Sequence, residues 1–194
     1  MTAKLVVITG TPGVGKSTIG RLLAERVGAQ YVDLGRLVRD RGLYIGVDEE
    51  DGSLIVDLKL LAEEVSRLVD STDGWVVLEG HYAHQVVPKN AVYLIFVLRK
   101  NPHQLREELR SRGYREGKIS ENLEAEILDV CLWEAVELHG REKVYEVDVS
   151  DRNPEEVVEE LLNAIKAGAG GRVGIVDWLG MLEREGRLHE YFRD

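Results

Sequence analysis

Eight consecutive residues, Gly10-Thr11-Pro12-Gly13-Val14-Gly15-Lys16-Ser17, follow one spacing: glycine, four residues, glycine, lysine, serine. Each type meets a requirement of gripping a polyphosphate. Glycines permit positive φ and let the backbone approach phosphate oxygens. The N–H groups of Gly13 to Ser17 point into such a loop, and a helix starting there adds partial positive charge. Lys16 sets an ammonium on the β- and γ-phosphates, and Ser17 offers a hydroxyl to Mg²⁺. The alternative, a glycine-rich turn that binds nothing, does not account for the apolar run before the loop and the helical pattern after it.

Other residues could complete the chemistry. Glu79-Gly80-His81 ends an apolar strand, where open α/β sheets bind ligands. A carboxylate there can orient the water shell of Mg²⁺. His81 titrates near neutrality and could position a water or an acceptor phosphate; otherwise it is a loop histidine. Arg39, Arg112, Arg115 and Lys118 are candidate cations for a transferring phosphoryl group, each with a solvated surface charge as its alternative. Arg112-Gly113-Tyr114 stands at a helix-to-loop break. His84 reads as surface. Asp48-Glu49-Glu50-Asp51 lacks the spacing of a calcium loop and reads as a solvated loop. Cys131, the single cysteine, lies in an apolar helical stretch and reads as a small buried hydrophobe.

These groups need a scaffold, and the hydrophobic pattern supplies one. Leu5–Thr9, 30–33, 75–79, 91–98 and 143–147 read as strands, the longer ones apolar enough to be buried on both faces. Helical patterns fall between them: about 15–27, 34–41, 54–69, 102–111, 121–138 and 154–167. Gly42 to Ser53 reads as a loop, and Arg112 to Lys118 as a short basic loop. The alternation predicts an α/β fold with a five-stranded parallel sheet and helices on both faces. Gly168-Ala169-Gly170-Gly171 reads as a linker. Beyond it, Ile175, Trp178, Leu179 and Leu182 make an apolar stripe that either packs back on the core or faces a partner.

Composition limits the partners. The chain has 194 residues, 44% hydrophobic, and a net charge of −10. That length suits one domain with a small appendage. The charge argues against generic nucleic-acid binding. No apolar run approaches a membrane span. One cysteine suits a reducing compartment, and Met1-Thr2-Ala3-Lys4 leads straight into a strand, leaving no room for a signal peptide. The expected location is cytoplasmic.

No Asn-Lys-x-Asp base-reading motif of GTPases is present, and large ATPases run well beyond this length. A small P-loop NTPase domain with an insertion after the second strand (about 33–56) and a late arginine-bearing segment (about 111–121) resembles nucleoside monophosphate kinases. Further residues sharpen the likeness: Leu43-Tyr44 before Asp48-Glu49-Glu50, Glu79-Gly80-His81, Val97-Leu98-Arg99, Arg112-Gly113-Tyr114 with Lys118, and Asn122 with Glu126. Over roughly residues 5 to 160 the chain resembles the adenylate-kinase-like ribosome-assembly ATPases, the nuclear and archaeal branch of the adenylate kinases.

The resemblance implies an adenylate-kinase-type sheet with a short NMP-binding insertion and a lid, a kinase core over 1–167 and a tail over 168–194. It implies transfer of the terminal phosphate of ATP to AMP, with a slower ATPase. It also implies a role in late small-subunit maturation and rRNA processing, through a basic platform ribosomal protein of the S11 type. By position, Gly13, Gly15, Lys16, Ser17 and Thr18 would hold ATP, with Arg112 as the lid arginine and Arg39 facing the acceptor monophosphate. Lys16, His81, Glu79 and Arg112 would be catalytic, with Ser17 on Mg²⁺ and Glu79 reaching it through water. Two positions depart from the family: Glu79 stands where Asp is usual, and Glu108 where an arginine is frequent, leaving Arg106 or Arg110 as stand-ins. Two other readings use the same loop: an assembly ATPase with little kinase activity, and a small-molecule kinase of the shikimate or dephospho-coenzyme A type.

Overall fold

A computed structural model describes residues 3–49 and 52–192. Met1 and Thr2 of the N-terminal reading, and Glu50 and Asp51 of the acidic loop, lie outside the described residues. The strands are β1 (Lys4–Thr9), β2 (Gln30–Asp33), β3 (Tyr44–Val47), β4 (Leu54–Val56), β5 (Trp75–Glu79), β6 (Val92–Arg99) and β7 (Val144–Asp148). The helices are α1 (Lys16–Val27), α2 (Leu34–Arg41), α3 (Leu58–Asp70), α4 (Ala83–Val86), α5 (Pro102–Ser111), α6 (Glu116–Ile127), α7 (Val130–His139), α8 (Pro154–Ala167) and α9 (Trp178–Glu185).

Five strands form the expected sheet in the order β2-β5-β1-β6-β7, every neighbouring pair parallel. Strand residues alternate between two cores, as the period of two requires. Val6 and Ile8 of β1 pack with α1, α5, α6 and α8 on one face. Leu5 and Val7 pack with α3, α4 and α7 on the other. β1 lies centrally, so the loop that follows it opens at the carboxyl edge, at the point where the chain's crossovers diverge.

Three stretches differ from the sequence expectation. Within the segment read as a loop from Gly42 to Ser53, Tyr44–Val47 pairs antiparallel with Leu54–Val56 as β3 and β4, and α3 starts only at Leu58, capped by the Asp57 carboxylate. The single helix expected over 121–138 is two, α6 and α7, broken at Asp129 with φ 58°. Asp129 takes that left-handed backbone where its carboxylate pairs with the buried guanidinium of Arg99, a distant partner that no periodicity encodes. At its other end α6 begins at Glu116, so Lys118 sits on it and not in a loop.

The glycines at 168–171 lie along the edge of the sheet. Gly171 N–H donates to Val144 O at 2.8 Å, and a side chain at Gly170 would collide with Glu142 O. Beyond them, Trp178, Leu182 and Tyr191 are buried in the core on the α1 side. Among the described residues, no helix is long and apolar enough to cross a membrane.

Candidate active site

The phosphate loop turns on three glycines with positive φ. Gly10, Gly13 and Gly15 have φ of 135°, 94° and 101°. A Cβ at Gly10 would come within 2.5 Å of Leu98 O, and one at Gly13 within 2.9 Å of Leu105. Backbone conformation and space therefore both demand glycine there. The first bond of α1 runs from Ile19 N–H to Gly15 O at 3.1 Å, leaving the preceding N–H groups outside the helical ladder, as at any helix start. Lys16 Nζ donates to the loop's own carbonyls, Gly10 O and Thr11 O, at 2.9 Å each. Burial holds its ammonium below the usual lysine range. The lysine thus spans the cradle that phosphate oxygens would fill.

Glu79, at the end of β5, is buried. Its Oε1 accepts from Ser17 Oγ at 2.9 Å and from the Tyr31 hydroxyl at 3.0 Å. Burial, reinforced by the Glu79 charge, raises the Tyr31 phenol to about 12, so it remains a donor to that carboxylate. Gly80 N–H donates to Ile8 O at 3.1 Å and fixes the strand end beside the loop. His81 follows, its Nδ1 3.3 Å from Gly10 O. Burial first, then Lys16, lowers its pKa to about 4. A histidine expected to titrate near neutrality is therefore a neutral imidazole at pH 7.

His84 is a clear correction. It is 1% exposed, not at the surface. Nδ1 meets Thr9 Oγ1 and Nε2 meets Glu134 Oε2, both at 2.8 Å. Burial lowers its pKa, so the contact with Glu134 joins a neutral ring to a carboxylate. Both partners are more than 45 residues away, and a local reading has no access to them. Cys131 is buried, as expected, and burial raises its thiol to about 12.

Two clefts meet at His81 and Tyr82. The first, about 530 Å³, is bounded by Pro12, Arg112, Arg115, Lys118 and Asn122. The second, about 400 Å³, is bounded by Leu34, Gly35, Arg39 and Leu61. Gly52, Ser53 and Leu54 line both. Arg112 is held by Glu108, Nε to Oε1 at 2.7 Å. The expected stand-ins on α5 are engaged elsewhere. Arg106 stacks on Tyr191, 3.8 Å from the ring centre, and donates to Glu190 O; Arg110 pairs with Glu116 and Glu107. Thr18 is exposed at the start of α1. Asn122 and Tyr82 were not singled out for these clefts by their sequence context alone; Asn122 is a buried polar residue tied to Lys118 O at 2.7 Å. Among the described residues, no cluster of three or more His, Cys, Asp or Glu could hold a metal.

Comparison with known proteins agrees with this geometry. A sequence model of the AAA domain matches residues 6–129. A protein of Pyrococcus abyssi is 48% identical over 175 residues, covering 90% of this chain and 91% of its own, and one of Thermococcus kodakarensis is 46% identical, covering 90% and 92%. Both carry the name "Putative adenylate kinase". Among solved structures, a shikimate kinase from Acinetobacter baumannii in complex with shikimate superimposes with a TM-score of 0.61 at 18% identity, over 86% of this chain and 94% of that one. At that identity the likeness shows the fold alone. By its domain match the chain belongs to the AAA-domain family, and by identity and coverage it belongs with the archaeal proteins that carry the name "Putative adenylate kinase".

Proposed function

We propose that the chain is a nucleoside monophosphate kinase that transfers the terminal phosphoryl group of ATP to AMP, giving two ADP. The observation that carries this reading is the pair of clefts joined at His81 and Tyr82, each with its own arginine. A hydrolase needs one nucleotide site; a second cleft with Arg39 on its wall suits a second anionic substrate. The relatives' name points the same way.

In this reading Gly13, Gly15, Lys16, Ser17 and Thr18 hold the ATP phosphates. Lys16 exchanges the Gly10 and Thr11 carbonyls for phosphate oxygens, and Arg112 covers them from the lid. Arg39 binds the AMP phosphate. An oxygen of that phosphate attacks the γ-phosphorus in line, the bond to the β–γ bridging oxygen breaks, and ADP leaves. Lys16 and Arg112 stabilise the charge spread over the transferring group. Neutral His81 orients the acceptor phosphate or a water by hydrogen bonding without adding charge. Ser17 and Glu79 fit Mg²⁺: a hydroxyl and a buried carboxylate 2.9 Å apart at the loop mouth are the hard oxygen donors it takes. Ser17 would hold it directly and Glu79 through water. When bound, it neutralises charge between the β- and γ-phosphates. The unit boundaries follow this reading: a core over 1–167 with the acceptor segment at 33–56 and the lid at 111–121, and a tail over 168–194, working in the cytoplasm. The test is ADP formation from ATP with and without AMP; a strong dependence on AMP supports the kinase.

The net charge of −10 favours a second use of the same site. Here water accepts the phosphoryl group, and turnover switches contact with a basic platform protein during late small-subunit maturation and rRNA processing. An acidic surface complements such a partner. A pull-down at moderate salt that recovers no platform protein would count against this use.

A further inference from the structure

Behind the phosphate loop lies a buried cluster of charge: Arg99, Glu126, Asp129 and Glu146. Arg99 is 1% exposed. Its Nε donates to Glu126 Oε1 at 2.9 Å, its Nη1 to Glu146 Oε1 at 2.6 Å, and its Nη2 to Asp129. Burial alone would lower the guanidinium pKa, but the carboxylates outweigh it and raise it further. One guanidinium among three carboxylates leaves carboxylate oxygens without a cationic partner, and neutral N–H donors satisfy them. Glu126 Oε1 also accepts from Trp178 Nε1 and from Lys100 N–H, both at 3.1 Å. Glu146 Oε2 accepts from Ile175 N–H at 2.8 Å. Two of these donors, Trp178 and Ile175, come from the C-terminal segment.

The second oxygen of Glu126 faces the phosphate loop. Oε2 accepts from the Thr11 hydroxyl at 2.5 Å, and Thr11 is 1% exposed. The Thr11 carbonyl in turn accepts Lys16 Nζ at 2.9 Å. A continuous line of hydrogen bonds therefore runs from Trp178 through Glu126 and Thr11 to the lysine of the loop. Glu126 borders neither cleft. Removing a carboxylate from water is costly unless its oxygens are satisfied, and this one is satisfied from both sides at once.

We propose that Glu126 is a positioning residue for the phosphate loop, and that the C-terminal segment, through the Trp178 indole N–H, holds Glu126 so that Thr11 and Lys16 are set for ATP. The segment is then part of the nucleotide site although it touches no substrate. This rests on the reading of Gly10 to Ser17 as an ATP loop.

Two mild substitutions test it. Trp178→Phe keeps an aromatic ring in the core and removes the N–H; Thr11→Val keeps the shape and removes the hydroxyl. ATP affinity by calorimetry, KM and kcat, and Tm are measured for each, for the double variant and for Thr11→Ser. Each single change should weaken ATP binding about tenfold, the scale of one hydrogen bond to a charged group. Thr11→Ser should restore it. The double variant should lose little more than Thr11→Val, because both act through one carboxylate. A Trp178→Phe protein with lowered Tm but unchanged ATP affinity, or fully additive losses, would overturn the inference. Should Trp178→Phe not fold, a protein with Trp75→Phe and Trp133→Phe keeps Trp178 as its sole indole. ATP should then shift Trp178 emission, and an unchanged spectrum at saturating ATP would overturn the inference. A wild-type protein that binds no ATP would remove the nucleotide reading as well; ATP binding that is indifferent to these variants removes this inference alone.

Discussion

The phosphate loop and the β3–β4 hairpin border the same cleft and are held in opposite ways. The loop is fixed at every level: Gly13 is wedged against Leu105 and Leu109, Thr11 is tied to Glu126, Lys16 is capped by two carbonyls, and Glu79 is gripped by Ser17 and Tyr31. The hairpin instead presents Tyr44, Ile45, Val47 and Ile55 to solvent, with Ile45 73% exposed. Arg39 beside it is exposed and has no ion-pair partner among the described residues. On the proposed reading, the donor half is assembled before ATP arrives, and the acceptor half leaves apolar surface and the Arg39 guanidinium, unpaired among the described residues, for its substrate to engage. Segments that move on binding come from the weakly held end of a structure, because ordering must be offset by substrate contacts.

That contrast predicts a gradient of mutational effects. Lys16→Ala should abolish phosphoryl transfer, about a thousandfold or more, with Tm little changed, because the loop shape is set by glycines and by Thr11. Near-normal turnover in this variant would break the account of the donor half. Glu79→Gln keeps the shape but removes the charge that Ser17 and Tyr31 surround; turnover should fall about a hundredfold. Glu79→Asp should recover part of it in a rate assay at saturating ATP. Arg39→Ala should raise KM for AMP about tenfold and leave KM for ATP alone. Equal rises in both would mean that Arg39 does not belong to a separate acceptor site.

The smallest effect concerns acid. His81, His84 and His139 all have folded pKa values lowered by burial. As pH falls below the free histidine value of 6.5, the unfolded chain binds protons that the folded chain refuses, so stability should fall. For His81 the loss should level off near pH 4, where the folded form protonates too. Chemical unfolding at a series of pH values would show this, and His84→Gln should flatten the slope. A stability that stays level from pH 7 to 5 would contradict the burial of these rings.

Local chemistry was legible from sequence, and long-range chemistry was not. The phosphate loop is read from eight adjacent residues, and the longer core strands from apolar runs buried on both faces. The β3 and β4 strands escape because they are short, largely exposed and separated in sequence by four acids, one glycine and a serine. The break between α6 and α7 escapes because apolar periodicity continues across it, and the Arg99 that Asp129 pairs with there lies 30 residues away. His84 looks like a polar loop residue until Thr9 and Glu134 close over it. The Glu126–Thr11 bond joins residues 115 apart. Arg99 and Glu126 both stand among the residues that carry the resemblance, but nothing local in the sequence joins them.

The central claim is a kinase with two substrate sites, and one assay reaches it directly. ADP formation is followed from ATP and Mg²⁺ with AMP, with other small acceptors, and with none. The account predicts fast, saturable ADP formation only with a nucleoside monophosphate, two ADP appearing for each AMP consumed. ADP and phosphate released at the same rate whether or not AMP is present would contradict it and make water the acceptor.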